Sequence, residues 1–461
     1  MKKGKIRTVW KVLIAVVAVI LAIAIFMVSD VFIFRKTYLK TPPEKITETK
    51  NQDELYAVGR GIYDKDGNRV ALKGINFGNW LLQEGWMTVN SVGAKLNPDG
   101  SYASVNEKGV ITEYEETYQN EINAALENNP NLTDEQVKEL WNVYYDNYIT
   151  EEDFANVKNQ GFNVIRLPMY YGNFLEGEDD ALTLREDAFD RLDWFLEMCK
   201  KYDLYAILDM HGVVGGQSGY EHCGTRRCEF WTNEVYQQEM CDLWKAIATR
   251  YTTTRSDLSA TIAMFDLVNE PVDRNTAETS AKQHEVIKKM YDAIRSVDDK
   301  HIISIESCWM YNSFPNAKKL GYENVCYQIH LYNWSHDKIP NELFYFAQDF
   351  LFSFNKNDVP YLVGEFSFFH EPDEWQKWLK YYDDSGFSWT IWNYKIVTYG
   401  WWDSSWGLYV YKMNLVNEEL KLDLRTATYD EIYSVWSKLK TSESYTSQGV
   451  LKEILDEYFS K

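Results

Sequence analysis

The chain has 461 residues, of which 45% are hydrophobic and 25% charged, so most of it can form a folded core rather than a disordered region. Its net charge of −21 argues against nucleic acid as a partner, because binding to phosphates needs clustered Lys and Arg. This acidity suits a neutral substrate better than an anionic one. Aromatic residues make up 16% of the chain, which fits either a cleft that stacks on sugar rings or a large aromatic core.

The N-terminal segment combines basic charge with an apolar run. Five basic residues precede an apolar stretch over residues 12–28, which resumes over 31–34. The stretch is longer than the roughly 7–15 apolar residues of a cleavable signal, and no small-x-small cleavage site follows it. Positive charge is denser before the span than after it, which keeps the N-terminus in the cytoplasm. We predict a single-pass signal anchor in the cell membrane over residues 1–34, with a cleaved signal as the alternative.

A spacer and a hairpin come next, outside the cell. Residues 35–55 are polar, contain Pro42-Pro43 and lack apolar periodicity, which is typical of a linker. We therefore place the linker at 35–55 and one folded domain at 56–461. A β-hairpin is predicted from Gly61 to Lys73 around a turn at 64–68. The acidic turn lacks the downstream Glu of a calcium loop.

Short apolar runs then alternate with amphipathic stretches, which predicts a parallel sheet with right-handed crossovers. Eight strands over this length indicate a closed (β/α)8 barrel rather than an open sheet. No Gly-rich phosphate fingerprint follows the first strand, which argues against a dinucleotide-binding fold. The predicted strands are Ala71–Phe77, Asn163–Pro168, Leu204–Met210, Ile262–Val268, Ile302–Ile305, Val325–Ile329, Tyr361–Gly364 and Phe387–Trp392. The predicted helices include Ala188–Lys201, Val235–Tyr251, Ala281–Val297 and Asp373–Tyr382.

Two segments depart from this alternation. Residues 88–150 are long for a strand-to-helix connection and are predicted to be an insertion on the barrel after strand one. A helix over Thr133–Tyr148 begins there with a capping box, Thr133 and Gln136. In a later polar loop, Cys223 and Cys228 could form a local disulfide outside the cell. With His222 beside them, a metal site is the less favoured alternative, because the spacing matches no zinc pattern.

Polar or aromatic residues follow the predicted strands, where the strand ends of a barrel converge on an active site. They are Asn76, Arg166, His211, Asn269, Glu270, His330, Tyr332, Glu365 and Trp392. Cleavage of a glycosidic bond needs one carboxylic acid and one carboxylate on opposite faces of the sugar. Glu270 and Glu365 are the glutamates that close predicted strands, so we predict Glu270 as the acid/base and Glu365 as the nucleophile. A separation of about 5–5.5 Å between them would indicate a retaining mechanism.

The neighbouring residues receive supporting roles. Arg166 and the Tyr332 hydroxyl are expected to keep Glu365 ionised. The pKa of Glu270 is expected to be raised by burial and by its negative neighbour. Asn269 is placed to bond the sugar 2-hydroxyl.

The remaining polar and aromatic residues are predicted to stack on the sugar, to have structural roles or to lie at the surface. Trp392 offers a stacking floor for the sugar. Asp209 and Asp266 are predicted to be structural. The histidines at 222, 284, 301, 336 and 370 are predicted to be surface groups. The tryptophans at 401, 402 and 406 could form sugar subsites or pack a loop.

These motifs resemble glycoside hydrolase family 5, from about Gly74 to about Tyr409. Within the family the chain is most similar to the exo-β-1,3-glucanase group, on the stretches Gly74–Leu81, Glu84–Trp86, Tyr148–Phe154, Gly161–Pro168 and His211–Gly219. The residues that match the family's active-site set are Arg166, His211, Asn269, Glu270, His330, Tyr332, Glu365 and Trp392. The resemblance implies that Glu84 bonds the terminal sugar.

The chain also departs from that group. Asn79 stands where the group usually has Gly, Gly85 stands where it usually has Pro, and the insertion over 88–150 is the chain's own. These departures leave the linkage specificity open.

The expectation is a membrane-tethered, monomeric, retaining β-glycoside hydrolase that cleaves β-glucan, with β-1,3 linkage favoured, and uses no metal or cofactor. Three alternatives stay open: a transglycosylase, a hydrolase of another β-glycan (cellulose-like, β-1,6-glucan or mannan), and a non-catalytic sugar-binding protein. The last would be marked by loss of a strand-end Glu, and both are present.

Overall fold

The computed structural model describes residues 41–461 except 106, 108, 110, 179, 273–279, 308–313, 333–357, 398–403, 413–420, 448 and 461, together with 16–19, 21–22 and 25. Within these described residues, no helix is long and apolar enough to cross a membrane. The predicted anchor over 1–34 lies mostly outside them and is not confirmed.

Eight parallel strands close into a barrel in which each strand pairs with its neighbours in chain order. The eighth strand closes onto the first, with Trp389 beside Lys73 and Ile391 beside Ile75. The predicted (β/α)8 barrel is confirmed. Its strands are β1 (Lys73–Asn76), β2 (Val164–Tyr170), β3 (Tyr205–Gly212), β4 (Ile262–Asp266), β5 (Ile302–Glu306), β6 (Val325–Tyr332), β7 (Tyr361–Ser367) and β8 (Ser388–Ile391).

Several strands continue beyond their predicted ends. β3, β6 and β7 include His211, Tyr332 and Glu365, which were expected just after the strands. Polar side chains do not end these strands, because at the barrel mouth they point inward and bond one another. A β-bulge between Ile329 and His330 shifts the register, so that His330 pairs with Glu365 across β6 and β7.

The opposite end of the barrel is closed by apolar side chains. Inward-facing residues such as Val164, Ile207 and Met264 pack there with Leu55 and Ile62 from the segment before the barrel. That segment forms an antiparallel pair, Tyr56–Val58 with Gly61–Tyr63. The predicted turn at 64–68 is present, but its second arm makes only an isolated bridge between Tyr63 and Arg69. The mouth with the polar side chains is thus the accessible end.

Helices surround the barrel and the insertion packs on it. The described helices are α1 (Gln119–Glu127), α2 (Asp134–Tyr148), α3 (Glu151–Gln160), α4 (Asp190–Lys201), α5 (Glu234–Thr252), α6 (Ser280–Arg295), α7 (Ala317–Leu320), α8 (Pro372–Ser385), α9 (Tyr429–Trp436), α10 (Thr441–Ser444) and α11 (Gly449–Phe459). Both bonds of the capping box predicted at Thr133 are present. Tyr144 of α2 packs on Trp436 of α9 at 5.1 Å between ring centroids. Its hydroxyl donates to the Asn79 carbonyl at 2.5 Å, which ties the insertion to the mouth.

Candidate active site

Arg166 lies fully buried at the base of the mouth, between two carboxylates. Its Nε donates to Asp266 Oδ2 at 3.0 Å, and its Nη2 lies 3.1 Å from Asp209 Oδ2. Burial lowers the pKa of Arg166, but the charges of Asp209 and Asp266 outweigh burial and the net shift is upward. The guanidinium therefore stays charged, and both aspartates contact it, as their predicted structural role requires.

Glu365 on β7 receives two strong hydrogen bonds. Arg166 Nη1 donates to Oε1 at 2.8 Å, and the Tyr332 hydroxyl donates to Oε2 at 2.6 Å. Burial, followed by the charge of Glu365, raises the pKa of Tyr332 well above its ordinary value, so the phenol keeps its proton and remains a donor. The contacts predicted for Arg166 and Tyr332 are present.

Two asparagines complete the base of the site. Asn76 accepts from Arg166 Nη1 at 3.1 Å and donates to the carbonyls of Gly364 and Ile391, which ties β1 to β7 and β8. Asn269 accepts from Arg166 Nη2 at 2.9 Å. Its Nδ2 is buried and has no hydrogen-bond partner among the described residues. A buried donor without a partner is costly, so this amide is suited to bind a ligand oxygen.

The backbone of Glu270 is strained and held by a carboxyl that the sequence analysis missed. Glu270 has φ of 38°, in the left-handed region that a residue with a side chain rarely adopts. Its N–H donates to Glu306 Oε2 at 2.7 Å. Glu306 is buried at the end of β5, so the statement that Glu270 and Glu365 are the glutamates closing barrel strands is wrong. It directly follows the predicted strand Ile302–Ile305, the same position that Glu365 has after Tyr361–Gly364.

The carboxyl of Glu270 lies between two imidazoles. His330 Nδ1 is 2.9 Å from Oε1, and His222 Nδ1 is 3.2 Å from Oε2. Burial raises the pKa of Glu270, but His222 and His330 outweigh burial, so the net shift is downward. The expectation of a raised pKa is wrong, because the sequence did not show two bases within reach.

The proton of this pair lies on His330. Burial lowers the pKa of His330, while the charges of Glu306 and Glu365 and the bond to Glu270 raise it, to about 9. Among the described residues, Glu270, His330 and Glu365 are also the group whose ligand atoms could hold a metal ion. A charged His330 and the Arg166 guanidinium disfavour a cation there.

His211 and Trp392 form a stacked pair at the mouth. Their ring centroids are 5.5 Å apart with planes 12° from parallel, and His211 Nδ1 lies 2.6 Å from Asp209 Oδ2. Burial is the main cause that lowers the pKa of His211, to about 3, so this ring is neutral. A Cβ at Gly78 would lie 2.7 Å from the Trp392 indole, so glycine there leaves room for the ring.

Glu84 lies buried near the same carboxyls. Trp86 Nε1 donates to its Oε2 at 2.8 Å. Burial raises the pKa of Glu84 well above its ordinary value, and the charge of Glu365 adds to this effect. Asn79 has φ of 67° and accepts the N–H of Glu84 at 3.1 Å. The left-handed backbone at 79 accounts for the glycine usual in the resembling group, and Asn is among the side chains that tolerate it.

Other predictions for this region have mixed outcomes. Trp406 packs at 5.2 Å from Tyr332 and at 4.8 Å from Phe369, in an apolar cluster, whereas positions 401 and 402 lie outside the described residues. His301 is buried against Asp298, so the prediction of a surface group is wrong there, as it is for His222. Position 336 also lies outside the described residues.

The disulfide that Cys223 and Cys228 could have formed is absent. Cys223 and Cys228 are not joined, and Cys223 Sγ lies 3.1 Å from the Thr225 carbonyl oxygen.

Comparisons with known proteins agree with this geometry. The chain is 28% identical over 284 residues to a beta-xylosidase of Phanerodontia chrysosporium (60% of this chain, 52% of that protein). It is 26% identical over 289 residues to a sporulation-specific glucan 1,3-beta-glucosidase of Saccharomyces cerevisiae (59% of this chain, 60% of that protein). The chain thus spans roughly half to three fifths of the length of these relatives.

A solved structure shares the fold. The rutinosidase from Aspergillus niger matches with a TM-score of 0.55 at 15% identity, over 85% of this chain and 98% of that one. The sequence profile for cellulase (glycosyl hydrolase family 5) matches residues 114–397, more than half of the chain, and the chain therefore belongs to glycosyl hydrolase family 5.

Proposed function

We propose that the protein is a retaining β-glycoside hydrolase that cleaves β-glucan, with β-1,3 linkages preferred, by double displacement. The observation that carries the proposal is the spacing of the two strand-end carboxyls. One carboxylate oxygen of Glu270 lies within 4.8 Å of one carboxylate oxygen of Glu365. Inverting enzymes need about 6.5–9.5 Å between the carboxyls to admit water, whereas retaining enzymes need about 5–5.5 Å.

In the first step, a Glu365 oxygen attacks the anomeric carbon while the bond to the leaving oxygen breaks. Glu270 protonates that oxygen with the proton that it shares with His330 through the 2.9 Å contact. In the second step, Glu270 takes a proton from water, which attacks the same carbon and releases Glu365. Two inversions give net retention. The Asn269 Nδ2 donor would bond the sugar 2-hydroxyl, a contact that strengthens in the transition state.

The substrate class rests on sequence similarity and on charge. The yeast relative is named a glucan 1,3-beta-glucosidase, and the stretches around Glu84 and His211 resemble the exo-β-1,3-glucanase group. The net charge of −21 suits a neutral glycan. Product release from a panel of β-1,3-, β-1,4- and β-1,6-linked glucans, mannan and xylan oligosaccharides tests this. A preference for another linkage would overturn the β-1,3 assignment but leave the mechanism intact.

The carboxylate roles are tested by substitution. Glu365→Ala should nearly abolish turnover, and azide should restore it with inverted anomeric configuration, because azide fills the place of the nucleophile. Glu270→Ala should retain cleavage of an activated aryl glycoside, whose leaving group needs no proton. Glu453→Ala, which removes an exposed carboxylate on α11, is the matched control. Equal behaviour of the two active-site variants on activated and unactivated substrates would contradict the assignment.

A further inference from the structure

His222 contacts the acid/base candidate from a loop and has no role in the steps above. It lies in a short 3-10 turn, Glu221–Cys223, after β3. Its Nδ1 is 3.2 Å from Glu270 Oε2, and its Nε2 is 2.8 Å from Ser218 Oγ. Both ring nitrogens thus have polar partners, and the side chain is only 17% exposed.

The two oxygens of Glu270 are bound by different imidazoles. His330, on β6, contacts Oε1, and His222, on the loop, contacts Oε2. A carboxyl with one fixed oxygen can still rotate about its last side-chain bond, since that torsion has a broad energy profile. A second contact removes this freedom.

The loop that carries His222 is joined to the strand ends. Gln217 Nε2 donates to the His211 carbonyl at 2.6 Å and to the Asn269 carbonyl at 2.9 Å. Asn269 immediately precedes Glu270. The position of the loop is therefore coupled to the backbone that places Glu270.

We propose that His222 is a positioning residue for the acid/base of the reaction. Through the 3.2 Å contact of its Nδ1, it holds Oε2 of Glu270 in place and lowers the affinity of Glu270 for its proton. The proposal rests on the assignment of Glu270 as acid/base.

The other groups around the His222 ring do not replace this contact. His211 approaches edge-on at 6.4 Å between ring centroids, and Tyr220 lies at 5.8 Å. The Glu221 carboxylate accepts the N–H of Thr117 at 3.0 Å. Among the described residues, Glu270 is the charged group that the structure places in contact with the imidazole.

The test measures kcat/KM against pH on two substrates, one with a poor and one with an activated leaving group. On the poor leaving group, the basic limb reports loss of the proton that Glu270 and His330 share. In His222→Ala this limb should move upward by about one pH unit, a tenfold gain in proton affinity. The rate at the optimum should fall about tenfold on that substrate and change little on the activated one. Damage to the fold alone would lower both rates and leave the limb in place.

Further variants make the test decisive. His222→Gln, which retains a donor, should recover much of the rate and show a smaller shift. Ser218→Ala removes the partner of Nε2 and should act in the same direction as His222→Ala. The exposed His370, replaced by Gln, is the matched control.

Two results would overturn the proposal: an unmoved basic limb in both His222 variants, or equal rate losses on both substrates. If His222→Ala does not fold, the same readings on His222→Gln and Ser218→Ala decide. If Glu270→Ala behaves as an acid/base variant while these do not shift the limb, only the role of His222 fails. If Glu270→Ala does not behave as an acid/base variant, the proposed function itself is contradicted.

Discussion

Replacement of Tyr332 by Phe tests the prediction that hydrogen bonds to Glu365 keep this nucleophile candidate ionised. The variant removes the hydroxyl that donates to Glu365 Oε2 at 2.6 Å and keeps the ring that packs at 5.2 Å from Trp406. Arg166 Nη1 remains as a donor to the other oxygen. The carboxyl therefore loses one of two donors without a cavity larger than one oxygen atom.

The size of the effect follows from the burial of the bond. The Glu365 side chain is 6% exposed, so bulk water replaces the phenol poorly. Hydrogen bonds to charged groups contribute about 1.5–3 kcal/mol, and about 1.4 kcal/mol corresponds to a tenfold change in an equilibrium. With the guanidinium still in place, we expect the lower end of that range. The acidic limb of the pH–rate profile should move upward by about one unit, and the glycosylation rate should fall about tenfold.

The assay is pre-steady-state release of an activated aglycone between pH 4 and 8, since this reports glycosylation alone. Tyr327→Phe is the matched control, because it removes a hydroxyl on the same strand that donates to the Pro315 carbonyl, away from the carboxyls. This control should lower the melting temperature and leave the limb in place. An unshifted acidic limb with an undiminished rate in Tyr332→Phe would refute the reasoning.

Four further predictions follow from other parts of the chain. Arg166→Lys should lower kcat on the order of 100-fold at unchanged circular dichroism, because an ammonium lacks the planar fork that bonds several partners at once. Glu306→Gln keeps a side-chain oxygen that can accept the N–H of Glu270 and should keep activity. The activity of Glu306→Ala should fall about tenfold, because this change leaves the N–H of Glu270 without its acceptor. Burial lowers the pKa of Lys395 to about 8. The unfolded chain, with an ordinary lysine near 10.4, therefore binds more protons between those values, and stability should rise with pH there. Lys395→Met should lack this rise of stability with pH. The change in its melting temperature between pH 8 and pH 10 should therefore differ from that of the unsubstituted protein. Full-length protein should fractionate with membranes and be removed from intact cells by added protease, whereas a soluble form beginning near residues 30–40 would favour a cleaved signal.

The barrel and most of its mouth could be predicted because parallel strands obey a simple rule. Each strand is buried on both faces and appears as an apolar run, and the residue at its end lies at the mouth. Arg166, Asn269, Glu270 and Glu365 were therefore found without knowledge of any contact. The same rule also selects Glu306, because it directly follows the predicted strand Ile302–Ile305 as Glu365 follows Tyr361–Gly364, so its omission from the predicted site is wrong.

His222 could not be found in this way. It belongs to a loop without periodicity, which Gln217 joins to His211 at the end of β3 and to Asn269 beyond β4. A sequence pattern carries no information on such long-range loop contacts. The predicted direction of the pKa shift of Glu270 is wrong for the same reason. Burial and a like charge, which raise the pKa, could be predicted from the sequence, whereas the contacts with two imidazoles, which lower it, could not.

The carboxyls of Glu365 and Glu270 are contacted by different kinds of side chain. Glu365 is bound by a guanidinium and a phenol, and the pKa values of both are shifted upward, so neither donor gives up its proton in the working range. Glu270 is bound by two imidazoles, one of which has a pKa of about 9 and can exchange its proton with the carboxyl. A donor that keeps its proton stabilises the charged form of the carboxylate that it contacts. A donor that can pass its proton to the carboxyl lets that carboxyl act first as an acid and later as a base. The same residue type would thus serve as the proposed nucleophile on β7 and as the proposed acid/base after β4.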